Sequence, residues 1–112
     1  MIEPYSKTIG AVCRSGEDKG DICTGHGAYP SRECTSGSPN VFVNGYRVHR
    51  QGDSWATHCD SEGDCHNGKL YKGSPTVFVN GKQLGRVGDS IDCGSKVATG
   101  SSNVFCGPIE DD

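Results

Sequence analysis

Ser36-Gly37-Ser38-Pro39-Asn40-Val41-Phe42-Val43-Asn44-Gly45 recurs 36 residues later as Lys72-Gly73-Ser74-Pro75-Thr76-Val77-Phe78-Val79-Asn80-Gly81. The two copies also close alike, with Arg50-Gln51-Gly52-Asp53-Ser54 answered by Arg86-Val87-Gly88-Asp89-Ser90. A fixed internal period of this length marks a repeat architecture, in which neighbouring units bury what one unit cannot bury alone. A truncated third opening, Thr99-Gly100-Ser101-Ser102-Asn103-Val104-Phe105, and a lone ending, Lys19-Gly20-Asp21, lie towards the two ends of the chain. The chain thus enters partway through one unit and leaves partway through another. That suits a closed pseudo-symmetric object better than an open solenoid.

Within each unit the local chemistry is that of a β-hairpin. Val-Phe-Val is a β-branched and aromatic run, Asn-Gly is the preferred two-residue hairpin turn, and the return segment ends at Gly-Asp, another turn pair. The return arms Tyr46-Arg47-Val48-His49-Arg50 and Lys82-Gln83-Leu84-Gly85-Arg86 set one modest apolar residue between polar ones, as in strands covered on one side. No stretch shows a helical apolar period over three turns, so the fold class is mainly β. Segments 22–35 and 54–73, rich in Gly, Ser, Thr, Asp and Cys, are expected to be loops that need something to hold them.

The 112 residues allow one domain, and Leu, Ile, Val and Phe supply under a fifth of them while Gly alone contributes 17. A formal net charge of only −3 argues against plain disorder. A domain this small and this poor in large apolar groups needs a staple: disulfides, a metal or a partner. No basic stripe suggests nucleic acid as a partner. No run approaches a membrane span, and Met1–Lys7 lacks the basic and apolar regions of a secretory signal, so a soluble chain made in the cytoplasm is expected. In that compartment 7 Cys and 4 His favour a metal site or a redox role over a disulfide framework. An odd Cys count also leaves at least one thiol outside any internal disulfide.

The three Gly-Asp endings carry a chemical regularity. His26 follows Asp21 by five residues, His58 follows Asp53 by five, and Cys93 follows Asp89 by four. Arranged around a pseudo-threefold axis, these side chains converge as three corners of a tetrahedron. His66 in the loop after His58 can supply the fourth, as can Cys59 or Cys65 flanking the same loop. Three His and one Cys suit tetrahedral zinc, and four protein ligands leave no position open for catalysis. Such closed sites contribute folding energy directly.

Other candidates read more plainly. His49, on a return arm between Val48 and Arg50, is expected at the surface, and Trp55 and Phe42 are expected to be packing groups. Cys13, Cys23, Cys34 and Cys106 read as small buried residues or occasional disulfide partners. No Gly-x-Ser-x-Gly elbow, phosphate loop or His-Glu-x-x-His occurs, and the repeated Asp residues read as turn and loop hydrogen-bonding groups, so the chain is not expected to be an enzyme.

These features together resemble the PAAR-repeat proteins, the spike-tip proteins of contractile injection machines. The resemblance covers about residues 9–107 and rests on Gly-Ser-Pro-x-Val-Phe-Val-Asn-Gly, Arg-x-Gly-Asp, Thr24-Gly25-His26-Gly27 and Asp92-Cys93-Gly94. The name-giving tetrad has drifted to Arg47-Val48-His49-Arg50 and Gln83-Leu84-Gly85-Arg86, keeping only the final Arg. The resemblance implies a small cone of short hairpins around a pseudo-threefold axis, with a structural zinc ion near the apex. The family's ligands fall on His26, His58, His66 and Cys93. It also implies a partner: a trimeric β-helical spike, the VgrG protein of type VI secretion or the central spike of a contractile-tail phage, capped by one chain per trimer. The Val-Phe-Val arms at 41–43 and 77–79 and the Val-Phe-Cys segment at 104–106 are the candidates for that base.

On this reading residues 1–8 and 108–112 are short terminal segments, and the chain is a stand-alone tip without enzymatic cargo. It is made in the bacterial cytoplasm and assembled at the tip of a phage tail or type VI injection tube, where it meets the target membrane mechanically. Two rivals are a zinc-stabilised adaptor for another partner and a thiol or metal enzyme using the Cys59–Cys65 loop.

Overall fold

The described residues, 10–15 and 20–106, of the computed structural model contain nine short strands and no helix. In chain order they are β1 (Gly10–Ala11), β2 (Arg14–Ser15), β3 (Phe42–Val43), β4 (Tyr46–Val48), β5 (Ser54–Cys59), β6 (Cys65–Lys69), β7 (Phe78–Val79), β8 (Lys82–Gln83) and β9 (Phe105–Cys106). The expected terminal segments 1–8 and 108–112, the boundaries at 9 and 107, and Lys19 lie outside the described residues.

Both Asn-Gly pairs make the turns expected of them. Asn44 and Gly45 have φ of 56° and 84°, and Asn80 and Gly81 have 56° and 81°. Two successive left-handed residues match the twist of the flanking strands, so β3 returns as β4 and β7 as β8. The third hairpin is split between the chain ends. Ala11 pairs with Phe105 and Gly10 with Cys106, so β1 is the return arm of β9. Ala11-Val12-Cys13-Arg14 therefore occupies the place of Arg47–Arg50 and Gln83–Arg86. Sequence comparison missed this third tetrad because Arg14 lies seven residues before its Asp partner, whereas Arg50 and Arg86 lie three before theirs.

Three return arms close a ring of backbone hydrogen bonds. The Cys13 N–H donates to Gly85 (2.9 Å), the Gly85 N–H to His49 (2.9 Å), and the His49 N–H to Cys13 (3.0 Å). The Val12, Val48 and Leu84 carbonyls accept from the N–H groups of Ser101, Ser38 and Ser74, each at 2.8 Å. A Cβ at Gly100, Gly37 or Gly73 would stand 2.8, 2.7 or 2.4 Å from those same carbonyls, so each unit needs glycine there. These matched sets define the pseudo-threefold axis.

Ion pairs repeat with it: Arg14–Asp21 (2.9 Å), Arg50–Asp53 (2.8 Å) and Arg86–Asp89 (2.8 Å). In the Arg50 pair the guanidinium takes both carboxylate oxygens while the Arg50 N–H donates to one of them. Burial opposes the charge on Asp53, but these donors hold its carboxyl below the usual range. The Asp residues thus serve as hydrogen-bonding groups, as expected.

The turn asparagines couple neighbouring units. Asn80 accepts from Ser38 Oγ (2.7 Å) and from Arg50 (3.0 Å) and donates to Asn40 (3.1 Å). Asn44 repeats the pattern with Ser101 (2.7 Å), Arg14 (3.2 Å) and Asn103 (3.0 Å).

Two small apolar clusters form the core. Val12, Val48 and Leu84 gather beneath the hairpins with Val43, Val77, Val79, Val104 and Cys106 against them. Trp55, Leu70, Ile91, Val97, Cys13, Cys23 and Cys34 form the other, with Val87 and Cys93 at its edge.

Three expectations are corrected. His49 is not at the surface but fully buried, because its arm turns towards the ring: its Nδ1 donates to the Ser36 carbonyl at 2.8 Å and its ring stands edge-on to Trp55 at 5.0 Å. Phe42 is not a packing group, being 51% exposed alongside Phe78 (55%) and Phe105 (51%). Segment 54–73 is not a loop, since it holds β5 and β6, the longest strands, paired with a bulge between Trp55 and His58. Its polar composition reflects one face turned to solvent. Among the described residues no helix is long and apolar enough to cross a membrane.

Candidate metal centre

Each of the three Gly-Asp endings is followed by a segment that brings its donor to one place. His58 on β5 and His66 on β6 are direct cross-strand partners. His26 rides a tight turn in which its N–H donates to the Tyr29 carbonyl (3.0 Å) and the Tyr29 N–H donates back (2.8 Å). A Cβ at Gly25 would sit 2.6 Å from that Tyr29 oxygen, which explains the glycine in Thr24-Gly25-His26-Gly27. Cys93 occupies a second turn, closed by the Gly94 N–H donating to Ile91 at 3.0 Å.

The donor atoms of His26, His58, His66 and Cys93 all lie within 4.8 Å of one another. The Nε2 atoms are separated by 3.2 Å (His26–His58), 3.1 Å (His26–His66) and 2.8 Å (His58–His66). A tetrahedral ion with metal–nitrogen bonds of about 2.0–2.1 Å would hold such nitrogens roughly 3.3 Å apart, so the cluster is close to the size required. Its protonation fits too. His58 Nδ1 faces the Pro30 carbonyl at 2.8 Å, and because a carbonyl only accepts, the ring proton sits on Nδ1 and leaves Nε2 bare.

Electrostatics favour the metal-binding forms. Burial lowers the His26 pKa, and the neighbouring His58, His66 and Arg32 lower it further. Burial also lowers that of His58, with Arg32 and His66 adding to the effect against the opposing Pro30 hydrogen bond. Neutral imidazole is the form that ligates.

Cys59 and Cys65, the alternatives for the fourth donor, are joined by a disulfide with an S–S distance of 2.03 Å. They close the β5–β6 hairpin one rung beyond the His58–His66 pair and contribute no donor to the group. The remaining cysteines Cys13, Cys23 and Cys34 are buried free thiols, as expected, and Cys106 is half-buried.

Two neighbours of the centre carried no sequence signal. The Tyr29 ring covers the three imidazoles, with centroids 4.8, 4.9 and 4.3 Å from those of His26, His58 and His66. Arg32, only 5% exposed, donates from one guanidinium nitrogen to Cys93 Sγ at 2.8 Å. Neither repeats between units, so comparing the units could not find them.

The family model described as PAAR motif matches residues 24–99, which takes in all four clustered donors and both complete hairpins. No curated protein sequence gives a significant match. With well over half of its length inside that span and with the all-β, pseudo-threefold architecture described above, the chain belongs to the PAAR-motif family.

Proposed function

We propose that this chain is a non-catalytic cap for the blunt end of a trimeric β-helical spike, with one chain seated per trimer. Its family is that of the spike-tip proteins of contractile injection systems. The observation that carries the finer reading is that one chain presents Phe42, Phe78 and Phe105 at equivalent hairpin positions with nearly equal exposure. A single chain with threefold outward chemistry is matched by a partner with true threefold symmetry. The end of a β-helical spike is such a partner, and it also has unpaired backbone groups to cover. Each half-exposed Phe has apolar surface left to bury, and complete burial of such a side chain is worth about 1.5–3 kcal/mol.

The four-donor cluster is proposed to hold one zinc ion on His26, His58, His66 and Cys93. The donor chemistry, three imidazoles and a sulfur, supports zinc over harder ions. Zinc so held would supply cross-linking rather than reactivity, since four protein ligands leave no position for an activated water. His58 and His66 would tie the β5–β6 hairpin, and His26 and Cys93 the two turns, into one point. The working domain is residues 9–107. It is made in the bacterial cytoplasm and acts at the tip of a type VI tube or a phage tail, where a sharpened end assists passage through the target membrane.

Binding to a truncated trimeric spike tests the reading. Replacing Phe42, Phe78 and Phe105 together by Ser is expected to weaken capture at least 100-fold while metal content and thermal stability stay near wild type. Undiminished capture by the triple variant would place the docking surface elsewhere.

A further inference from the structure

We propose that Arg32 is the positioning residue of the metal centre: its guanidinium aims the Cys93 sulfur and ties together the elements that carry the donors. This rests on the zinc reading above. One guanidinium nitrogen donates to Cys93 Sγ at 2.8 Å. The other donates to the Ala56 carbonyl on β5, two residues before His58, and to the carbonyl of His66 itself at 3.3 Å. The side chain is 5% exposed, and its Nε is buried without a hydrogen-bond partner among the described residues. The fork therefore satisfies donor-side groups at the cost of one orphaned N–H.

Space has been left for it. A Cβ at Gly68, on β6, would meet the Arg32 guanidinium nitrogen at 2.6 Å and Ile91 at 3.1 Å, so glycine at this strand position keeps the guanidinium in place. A strand glycine often marks such a close approach.

A buried cation beside a pocket for a divalent ion is repulsive unless an anionic ligand stands between them. Cys93 is the one donor of the four that carries a negative charge when metal-bound, and it is the one Arg32 contacts. A planar fork can hold a sulfur and two carbonyls at fixed angles, whereas a lysine ammonium is a point donor on a flexible stem. Partners of this kind beyond the ligands typically alter metal affinity by about 10–100-fold.

The test uses the full chain with zinc and cobalt as probes, comparing wild type, Arg32→Met, Arg32→Lys, Cys93→Ser and the Arg32→Met/Cys93→Ser double variant. Zinc affinity is read by competition with a chromophoric chelator. The thiolate-to-cobalt charge-transfer band is read in the near ultraviolet. Arg32→Met is expected to bind zinc about 10-fold more weakly or worse and to shift the band to longer wavelength, because a thiolate without its hydrogen bond gives up charge more readily. Arg32→Lys should recover part of both. In a Cys93→Ser background Arg32→Met should cost less than about 2-fold, since coupling vanishes when the contacted partner is gone.

Arg32→Met with wild-type affinity, or tighter, and an unmoved band would overturn the inference. So would an equal cost with and without Cys93, which would make Arg32 merely structural. Should Arg32→Met not fold, Arg32→Lys decides: a protein indistinguishable from wild type in affinity and spectrum overturns the bridging role. A wild-type chain that holds no metal would overturn the zinc reading and this inference with it, whereas a wild-type thiolate band indifferent to Arg32 would overturn this inference alone.

Discussion

The Nε2 atoms of His58 and His66 lie 2.8 Å apart across one antiparallel rung, and the next rung is the Cys59–Cys65 disulfide. The covalent bond holds the end of the hairpin, and the two imidazoles project from the rung beside it. Cys59 and Cys65 therefore act on the centre from outside it. The Cys59→Ser/Cys65→Ser double variant is expected to keep one zinc per chain, losing about 2 kcal/mol of stability for the removed short cross-link. Cys93→Ala is expected to lose at least 90% of its bound metal after dialysis. Elemental analysis of both proteins separates a ligand thiol from a stapling one.

Metal removal should expose how little else holds the apex. A ligand bound only to the folded chain, present at a thousandfold excess over its Kd, stabilises by about 4 kcal/mol. For a domain of this size that is roughly 15 °C in Tm or more. Calorimetry before and after a strong chelator is expected to show a fall of that order, reversed by stoichiometric zinc.

Stability of the metal-free chain should fall with acid. In the folded state the His26 and His58 pKa values lie below the ordinary histidine value, so the unfolded chain binds more protons as pH drops. Their contribution is fully present above pH about 6.5 and is lost as pH falls through the folded values. Protons compete for the same nitrogens as zinc, so affinity should decline over the same window. Tm at intervals from pH 8 to 5, with and without zinc, checks both. A flat metal-free profile would contradict the direction given to these two residues.

Asn80 should separate two roles. It supplies a left-handed turn residue at φ 56° and accepts hydrogen bonds from Ser38 and Arg50 of the neighbouring unit. Asn80→Gly keeps the turn and loses the coupling, and Asn80→Ala loses both. Expected costs are about 2–4 kcal/mol for Gly, three side-chain hydrogen bonds with a charged donor among them, and about 1 kcal/mol more for Ala, from the strained turn. Urea unfolding gives both values.

Much of this molecule was legible because its chemistry is repeated. The Asn-Gly turns, the Arg-x-Gly-Asp endings and the convergence of His26, His58 and Cys93 each occur at matched places, and recurrence lifts a residue above its neighbours. What a single copy does stayed hidden. His49 sits on an arm that alternates as a half-exposed strand would, yet closure of the ring turns it inward against Trp55. Arg14 was obscured by the longer spacing to Asp21, so the third tetrad showed only when β1 paired with β9. The β5–β6 hairpin has a polar sequence because Trp55 alone of its side chains joins the apolar core, and pairing, a disulfide and the proposed ion hold the rest. Arg32 and Tyr29 reach the centre through the fold alone.

One pseudo-threefold chain is proposed to cap one threefold spike. Native mass measurement of the complex with a truncated trimeric spike tests it most directly. A single species of one chain per three spike chains is expected at any excess of the cap. Two or three caps per trimer, or no complex with a folded, zinc-loaded chain, would contradict it.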